Sequence, residues 1–303
     1  MTAPANRPHP PLGTASAYGL FAFCLPVWGI NWPVLKIALG SMPPNWLNCA
    51  RMGLCALCLF AALGVLGRLR LPGREDLPTL LSVGVMMMGI FPAMIVMGLE
   101  FAEAGRASLL SFIAPLWVTP AAILLFGERL TRLKAVGLAL GIGGLGVLFN
   151  PIGFDWSKGD VVYGNLMLLG SSMVWAVTIL HMRHHVWRSS PFQLAPWNML
   201  AATLVAALLG IVVDSGEPVL WSETLIWLLI YSGPAATTLT VLGIVAITRS
   251  LPAITSSLLF LATPVAGILA STAFLGEALT VTILAGLALI VAGLAAVAVG
   301  EAR

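Results

Sequence analysis

Apolar stretches about twenty residues long recur along this chain, separated by short polar breaks. They run over 15–38, 45–66, 77–98, 105–126, 131–149, 161–183, 192–213, 223–247, 252–274 and 280–299. At 1.5 Å per residue, about 20 residues cross the hydrocarbon layer of a bilayer. Backbone groups in hydrocarbon must bond within their own segment, so each stretch is predicted to be a helix. The least distinct break is Gly98-Leu-Glu-Phe-Ala-Glu-Ala-Gly105, interrupted by Glu100 and Glu103. The pattern predicts an all-α polytopic membrane protein with ten transmembrane helices.

Composition agrees with that solvent. Of 303 residues, 59% are hydrophobic and 9% charged, whereas about a quarter of a soluble domain is charged. Ten helices use about 200 residues, which leaves no room for a large soluble domain. The net charge is +3 and no basic run suits nucleic acid. Residues 1–14 read as a proline-rich cytoplasmic tail without a signal-peptide cleavage site, 150–160 as an external linker and 300–303 as a cytoplasmic end. With the N-terminus inside, eleven Lys and Arg fall on inner segments and only Arg106 and Lys158 on outer ones, which predicts both termini in the cytoplasm. Cys24, Cys49, Cys55 and Cys58 lie in apolar stretches. Cys55 and Cys58 lack the second pair of a zinc site and read as packing residues.

The two halves repeat. Adding 149 carries Ser108 to Ser257, Pro115 to Pro264, Gly127-Glu128 to Gly276-Glu277, Leu130-Thr131 to Leu279-Thr280, Gly137 to Gly286 and Gly144 to Gly293. Earlier in each half the offset is 147: Trp28 meets Trp175, Pro44 meets Pro191 and Arg51 meets Asn198. Residues 15–149 and 161–299 are thus two five-helix copies. An odd helix number makes the second copy enter from the opposite side, putting Glu128 inside and Glu277 outside. Inverted repeats are a recurring construction of secondary transporters, with the solute held near the midplane.

These residues carry a resemblance. Trp28-Gly-Ile-Asn31, Arg51, Glu100-Phe-Ala-Glu-Ala-Gly-Arg-Ala107, Pro115, Gly127-Glu-Arg-Leu-Thr131, Trp175, Thr263-Pro264 and Gly276-Glu-Ala-Leu-Thr280 resemble the drug/metabolite transporter superfamily. The likeness is to its EamA-type ten-helix exporters, and overall to the aromatic amino-acid exporter branch. The resemblance implies a central cavity lined mainly by spans 1, 3, 4, 6, 8 and 9, with spans 5 and 10 outside it. It also implies the inner membrane of a bacterium.

Candidate solute-binding residues are Trp28, Asn31, Arg51, Met88, Ser111, Trp175, Thr178, Thr238, Ser257 and Phe260. Each weighs against packing. Trp28 and Trp175 are deep and are repeat mates, and aromatic walls suit planar or cationic solutes. Arg51 lies about two turns into its span, where a guanidinium suits an amino-acid carboxylate. Small hydroxyls, Thr237, Ser256 and Thr263 among them, orient a polar solute or let helices approach. Met88 packs or lines an adaptable pocket. Pro115 and Pro264 are candidate hinges, since each removes an intrahelical hydrogen bond. Lys36, Arg51, Glu100, Glu103 and Arg106 require partners in a membrane and could shape the outer mouth. Glu128 and Glu277 read first as turn residues, with Thr131 and Thr280 capping the next helices. His181, His184 and His185 fit a cytoplasmic basic cluster better than a metal site.

No phosphate-binding glycine loop is present, and no deep acid stands out as a proton carrier. The expectation is a monomeric exporter of small amphipathic metabolites, aromatic or neutral amino acids foremost, that takes no cofactor and no metal and runs by facilitated diffusion. The alternatives are a quaternary-cation or drug exporter of the same superfamily, and a membrane-embedded transferase, which would need clustered acids or histidines.

Overall fold

The computed structural model describes residues 13–127, 130–149, 157–184, 189–239, 243, 246–247, 250–251, 259 and 262–301. They form helices and short connections, with no strand among the described residues. Helices α1 (Thr14–Leu39), α2 (Pro44–Val65), α3 (Arg74–Glu100), α4 (Ala104–Phe126), α5 (Arg132–Phe149), α6 (Gly159–His184) and α7 (Pro191–Val212) come first. Helix α8 opens as Glu223–Ile230 and continues through Tyr231–Thr237; α9 is Ala262–Leu275 and α10 is Val281–Glu301. Among the described residues, seven helices are long and apolar enough to cross a membrane, and their ends fall within three residues of those expected. Side chains such as Leu57, Leu124, Leu204, Leu208 and Leu284 point outward and exposed. In water such a surface would associate; in lipid it is the natural exterior, so the chain is a multi-pass membrane protein.

Two helices loosen to π geometry at matching places. In α3 the segment Leu80–Ile90 is π-helical, and the Phe91 N–H donates to Met86, five residues back. In α8 the π-helical segment is Tyr231–Thr237. An offset of 149 carries Gly84 of the first segment onto Gly233 of the second. Helix α4 breaks differently: Ala104–Ser111 ends in a turn at Phe112 and Ile113, and Ala114–Phe126 resumes with Pro115 in its first turn. Proline has no N–H for the Ser111 carbonyl four residues back, and this weakens the ladder there.

The backbone turns repeat as well. The four glycines with positive φ are Gly67 (62°), Gly127 (67°), Gly216 (89°) and Gly276 (70°) among the described residues. They form two pairs, 67 with 216 and 127 with 276, each 149 apart. Only glycine adopts this region without steric cost, and it ends helices there. After two of these turns, Thr131 Oγ1 accepts from Lys134 N at 3.3 Å and Thr280 Oγ1 from Ile283 N at 3.2 Å. These are the helix caps expected from sequence.

Packing pairs helices across the halves. Helix α2 lies antiparallel to α7: a Cβ built on Gly53 would meet Thr203, and one on Gly210 would meet Trp46. Helix α5 lies antiparallel to α10: a Cβ on Gly137 would lie 2.6 Å from the Gly293 carbonyl, and one on Gly144 would lie 2.9 Å from that of Gly286. Without a hydrophobic driving force in lipid, close backbone approach at small residues holds such pairs. Helices α5 and α10 pack chiefly on each other and on the second half of α4, while α1 packs on α9 and α3 on α6 and α7. The largest buried cluster joins α1, α3, α4, α6 and α9 and includes Trp32, Leu99, Leu109, Leu110, Leu168 and Ile268.

Candidate functional site

The two repeat-mate tryptophans occupy crossed positions. Trp28 of α1 is buried, edge-on to Phe21 at 6.2 Å, among Cys24, Ile247 and Leu251. A Cβ on Gly243 would lie 3.6 Å from its ring. Trp175 of α6 is half-buried between Phe91 of α3 at 5.3 Å and Phe112 of α4 at 5.4 Å. Each tryptophan therefore stands against the other half of the chain. Trp175, Phe91 and Phe112 form an aromatic corner beside the α4 break, where an aromatic solute could stack.

A polar layer joins the halves. Arg51 is buried in α2, and its Nη2 donates to Thr237 Oγ1 at 3.1 Å across to α8. Its Nε has no hydrogen-bond partner among the described residues. One turn earlier in α2, buried Asn48 has neither amide atom paired among the described residues. Cys55 Sγ and Thr238 Oγ1 share a hydrogen bond of 3.0 Å. On the opposite side Thr178 of α6 donates to the carbonyls of Ser82 at 3.4 Å and Val174 at 3.1 Å. Asn31 Oδ1, Asn198 Oδ1 and Thr263 Oγ1 are buried without partners among the described residues. Unpaired buried polar atoms carry a desolvation penalty of about 1–3 kcal/mol each, and a bound polar solute relieves it. The π segments seat on this layer in crossed fashion. A Cβ on Gly233 would lie 2.6 Å from the Arg51 carbonyl, and one on Gly84 would lie 3.2 Å from Asn198 Oδ1.

Not every candidate faces this layer. Ser111 is fully buried and donates to Ala107 of its own helix at 2.9 Å. Met88 is half-buried against the cluster of Met52, Cys55 and Met199 in the α2–α7 seam. Pro264 lies in α9, and its carbonyl accepts from Ser108 Oγ at 3.4 Å. Ser257, Phe260, Ser256, Glu128 and His185 lie outside the described residues, as do the N-terminal tail and most of the 150–160 linker.

At the expected external end the charges choose backbone partners. Lys36 Nζ donates to the carbonyls of Leu99 (2.7 Å), Glu100 (3.0 Å) and Ala102 (2.9 Å), closing the C-terminus of α3. Glu277 accepts from the Ala104 and Gly105 N–H groups at 2.6 and 2.8 Å, closing the N-terminus of α4. Cation at a C-terminus and anion at an N-terminus is the arrangement helix dipoles favour. Nearby, Asp214 accepts from the Asn45 N–H at 2.7 Å and from its side-chain amide at 3.0 Å. At the other end, Asp76 accepts from Ser189 Oγ at 2.9 Å and from the Gly73 N–H at 2.9 Å.

Comparison with known proteins places this geometry. The EamA-like transporter family matches residues 16–150 and 162–299. The chain belongs to that family. An uncharacterized transporter of Bacillus subtilis, YvbV, is 29% identical over 274 residues, covering 90% of this chain and 88% of the relative. A probable amino-acid metabolite efflux pump of Salmonella typhimurium is 30% identical over 285 residues, covering 88% and 90%. A solved crystal structure shares the fold with a TM-score of 0.65 and 22% identity, covering 95% of this chain and 99% of its own.

For an EamA-family transporter the arrangement offers groups that can bind a small solute. No group of three or more His, Cys, Asp or Glu suited to a metal occurs among the described residues. The layer supplies one guanidinium, several amides and hydroxyls, and an aromatic corner. The sequence reading had no basis for choosing Asn48, Ser82, Phe91 or Phe112. Asn48 stands three residues before Arg51 on one helical face, a usable signal; the aromatic pair meets Trp175 only through tertiary packing. Glu277 reaches helix α4 rather than its own following helix, a contact no local motif encodes.

Proposed function

We propose that this EamA-family transporter exports small amphipathic metabolites, aromatic or other neutral amino acids foremost, by alternating access between two inverted five-helix halves in the inner membrane. The observation that carries the reading is the crossed seating of the halves, with Gly233 on Arg51 and Gly84 on Asn198. Residue 51 is the mate of 198 and residue 84 the mate of 233, so the two contacts exchange when the halves are interchanged. The antiparallel pairs Gly137–Gly293 and Gly144–Gly286 exchange in the same way. Two related halves with interchangeable contacts have two packings of similar energy, one opening to each side, which is what a carrier needs.

The amino-acid reading is supported by Arg51, a buried donor for a carboxylate, by the aromatic corner around Trp175, and by the name of the Salmonella relative. The eleven-to-two distribution of basic residues supports cytoplasmic termini. The test is flux of radiolabelled tryptophan or phenylalanine into liposomes that hold only this protein. Flux that persists without a pH gradient and in the presence of an uncoupler supports facilitated export. No flux for any aromatic or neutral amino acid removes the solute.

A further inference from the structure

We infer that Lys36 and Glu277 together form a releasable latch that holds the passage closed at its external end. The α3–α4 junction, Leu99 to Gly105, is gripped from two sides. Lys36 reaches it from α1 and takes three carbonyls. Glu277 reaches it from the link between α9 and α10 and takes two N–H groups. The two side chains come from different halves of the chain, 241 residues apart in sequence, and meet on one turn that contributes no side-chain hydrogen bond to either.

Three features separate a latch from an ordinary helix cap. A cap is local, supplied by the residue preceding its own helix; α4 has Glu103 at that position, and its side chain makes no cap hydrogen bond. The N–H groups are capped instead from α9–α10, whose movement relative to α4 is what opening requires. The contact is also made of charge-assisted hydrogen bonds to backbone, and the Glu277 bonds cross from one half to the other, so water can replace them when the halves part. By contrast, the packing just below it is tight. A Cβ on Gly267 of α9 would fall 2.7 Å from Ser108 Oγ and 3.0 Å from the Trp32 ring, and one on Gly105 would fall 3.2 Å from Glu277. Helices α1, α4 and α9 thus close against one another beneath the turn that the two charges hold. Lys36 and Glu277 are positioning residues: they set which side is open and touch no solute.

The inference rests on the alternating-access reading above. Its test is hydrogen exchange, read by mass spectrometry on the full chain in nanodiscs, for Glu277→Gln, Lys36→Met and the unsubstituted protein. Releasing the latch is expected to raise exchange over 101–111 by about fivefold or more, the lower range of coupling between sites. It is also expected to slow exchange over 119–127, at the far end of α4, because outward opening closes the opposite end. Loosening of 101–111 alone, loosening of both segments, or no change in either overturns the latch, since a merely structural cap gives the first result and general destabilisation the second. Solute flux on the same preparations keeps the two readings apart. Flux without reciprocal exchange sinks the latch and leaves the carrier; reciprocal exchange without amino-acid flux upholds the latch and removes only the solute.

Discussion

Gly233 lies against the backbone of Arg51, so close that a Cβ there would stand 2.6 Å from the arginine's carbonyl oxygen and 3.2 Å from its Cα. The π-helical turn of α8 and the middle of α2 are therefore in direct backbone contact, and the Arg51 side chain is pinned beside Thr237 four residues further along α8. Gly233→Ala must push the two helices apart. Overpacking of this kind costs about 1–3 kcal/mol, so a lower thermal midpoint in detergent is expected. Gly84→Ala should cost less, since its tightest contact is 3.1 Å. Gly64→Ala, where a Cβ would meet nothing within 4 Å, should leave the midpoint unchanged or raise it. Equal midpoints for all three would contradict the seating of α8 on α2.

Arg51 carries the carboxylate hypothesis, and the solute's own chemistry can test it. Hydrogen bonds to charged groups are worth about 1.5–3 kcal/mol, roughly a 10- to 150-fold change in affinity. Arg51→Met is predicted to raise the KM for tryptophan flux within that range while leaving flux of tryptamine, which lacks the carboxylate, nearly unchanged. Arg51→Lys keeps charge without the planar fork and should fall between. A parallel loss for both solutes would make Arg51 a structural tie between α2 and α8 rather than a solute donor.

How much of this was legible in sequence depends on the range of the interaction. Helix placement rests on hydropathy over about 20 residues, which lipid enforces strongly, so the ends of the seven long helices lie within three residues of those expected. The turn after α4 was legible because Gly127-Glu-x-Leu-Thr is a local motif whose glycine sits at φ 67°. The need of Lys36, Arg51, Glu100, Glu103 and Arg106 for partners was legible, but not which partners: Lys36 takes backbone carbonyls, since a helix end inside a membrane offers unpaired acceptors. The π geometry of α3 and α8 left no compositional mark. The grouping of Trp175 with Phe91 and Phe112 depends on crossing angles between distant helices, which periodicity does not contain.

Asp214 and Asp76 clamp opposite ends of the α2–α7 region and should be felt as stability. Asp214→Ala strands the Asn45 N–H and side-chain amide, both in buried hydrogen bonds. Each stranded buried donor costs about 1–3 kcal/mol. Asp76→Ala removes the partner of Ser189 and of the Gly73 N–H, bonds that are only part-buried, so water can replace some of the loss. A larger fall in thermal midpoint is therefore expected for Asp214→Ala than for Asp76→Ala. The reverse order would mean that the Asn45 end of α2 is open to water.

The α5–α10 pair separates scaffold from passage. Its glycines bring two backbones together, with a Cβ on Gly137 falling 2.6 Å from the Gly293 carbonyl and one on Gly293 falling 2.6 Å from that of Gly137. Gly137→Val or Gly293→Val must break this seam, and because dispersion at close range is what holds helices together in lipid, the thermal midpoint should drop. Yet α5 and α10 touch the remainder chiefly through the second half of α4, away from Arg51 and Trp28. Flux normalised to folded protein should therefore stay within about twofold of the parent, a shift of under about 0.5 kcal/mol. Gly233→Ala should instead lower normalised flux as well as stability. If the Gly137 and Gly293 variants lost transport while their midpoints held, α5 and α10 would belong to the moving machinery, and the passage would have to be redrawn to include them.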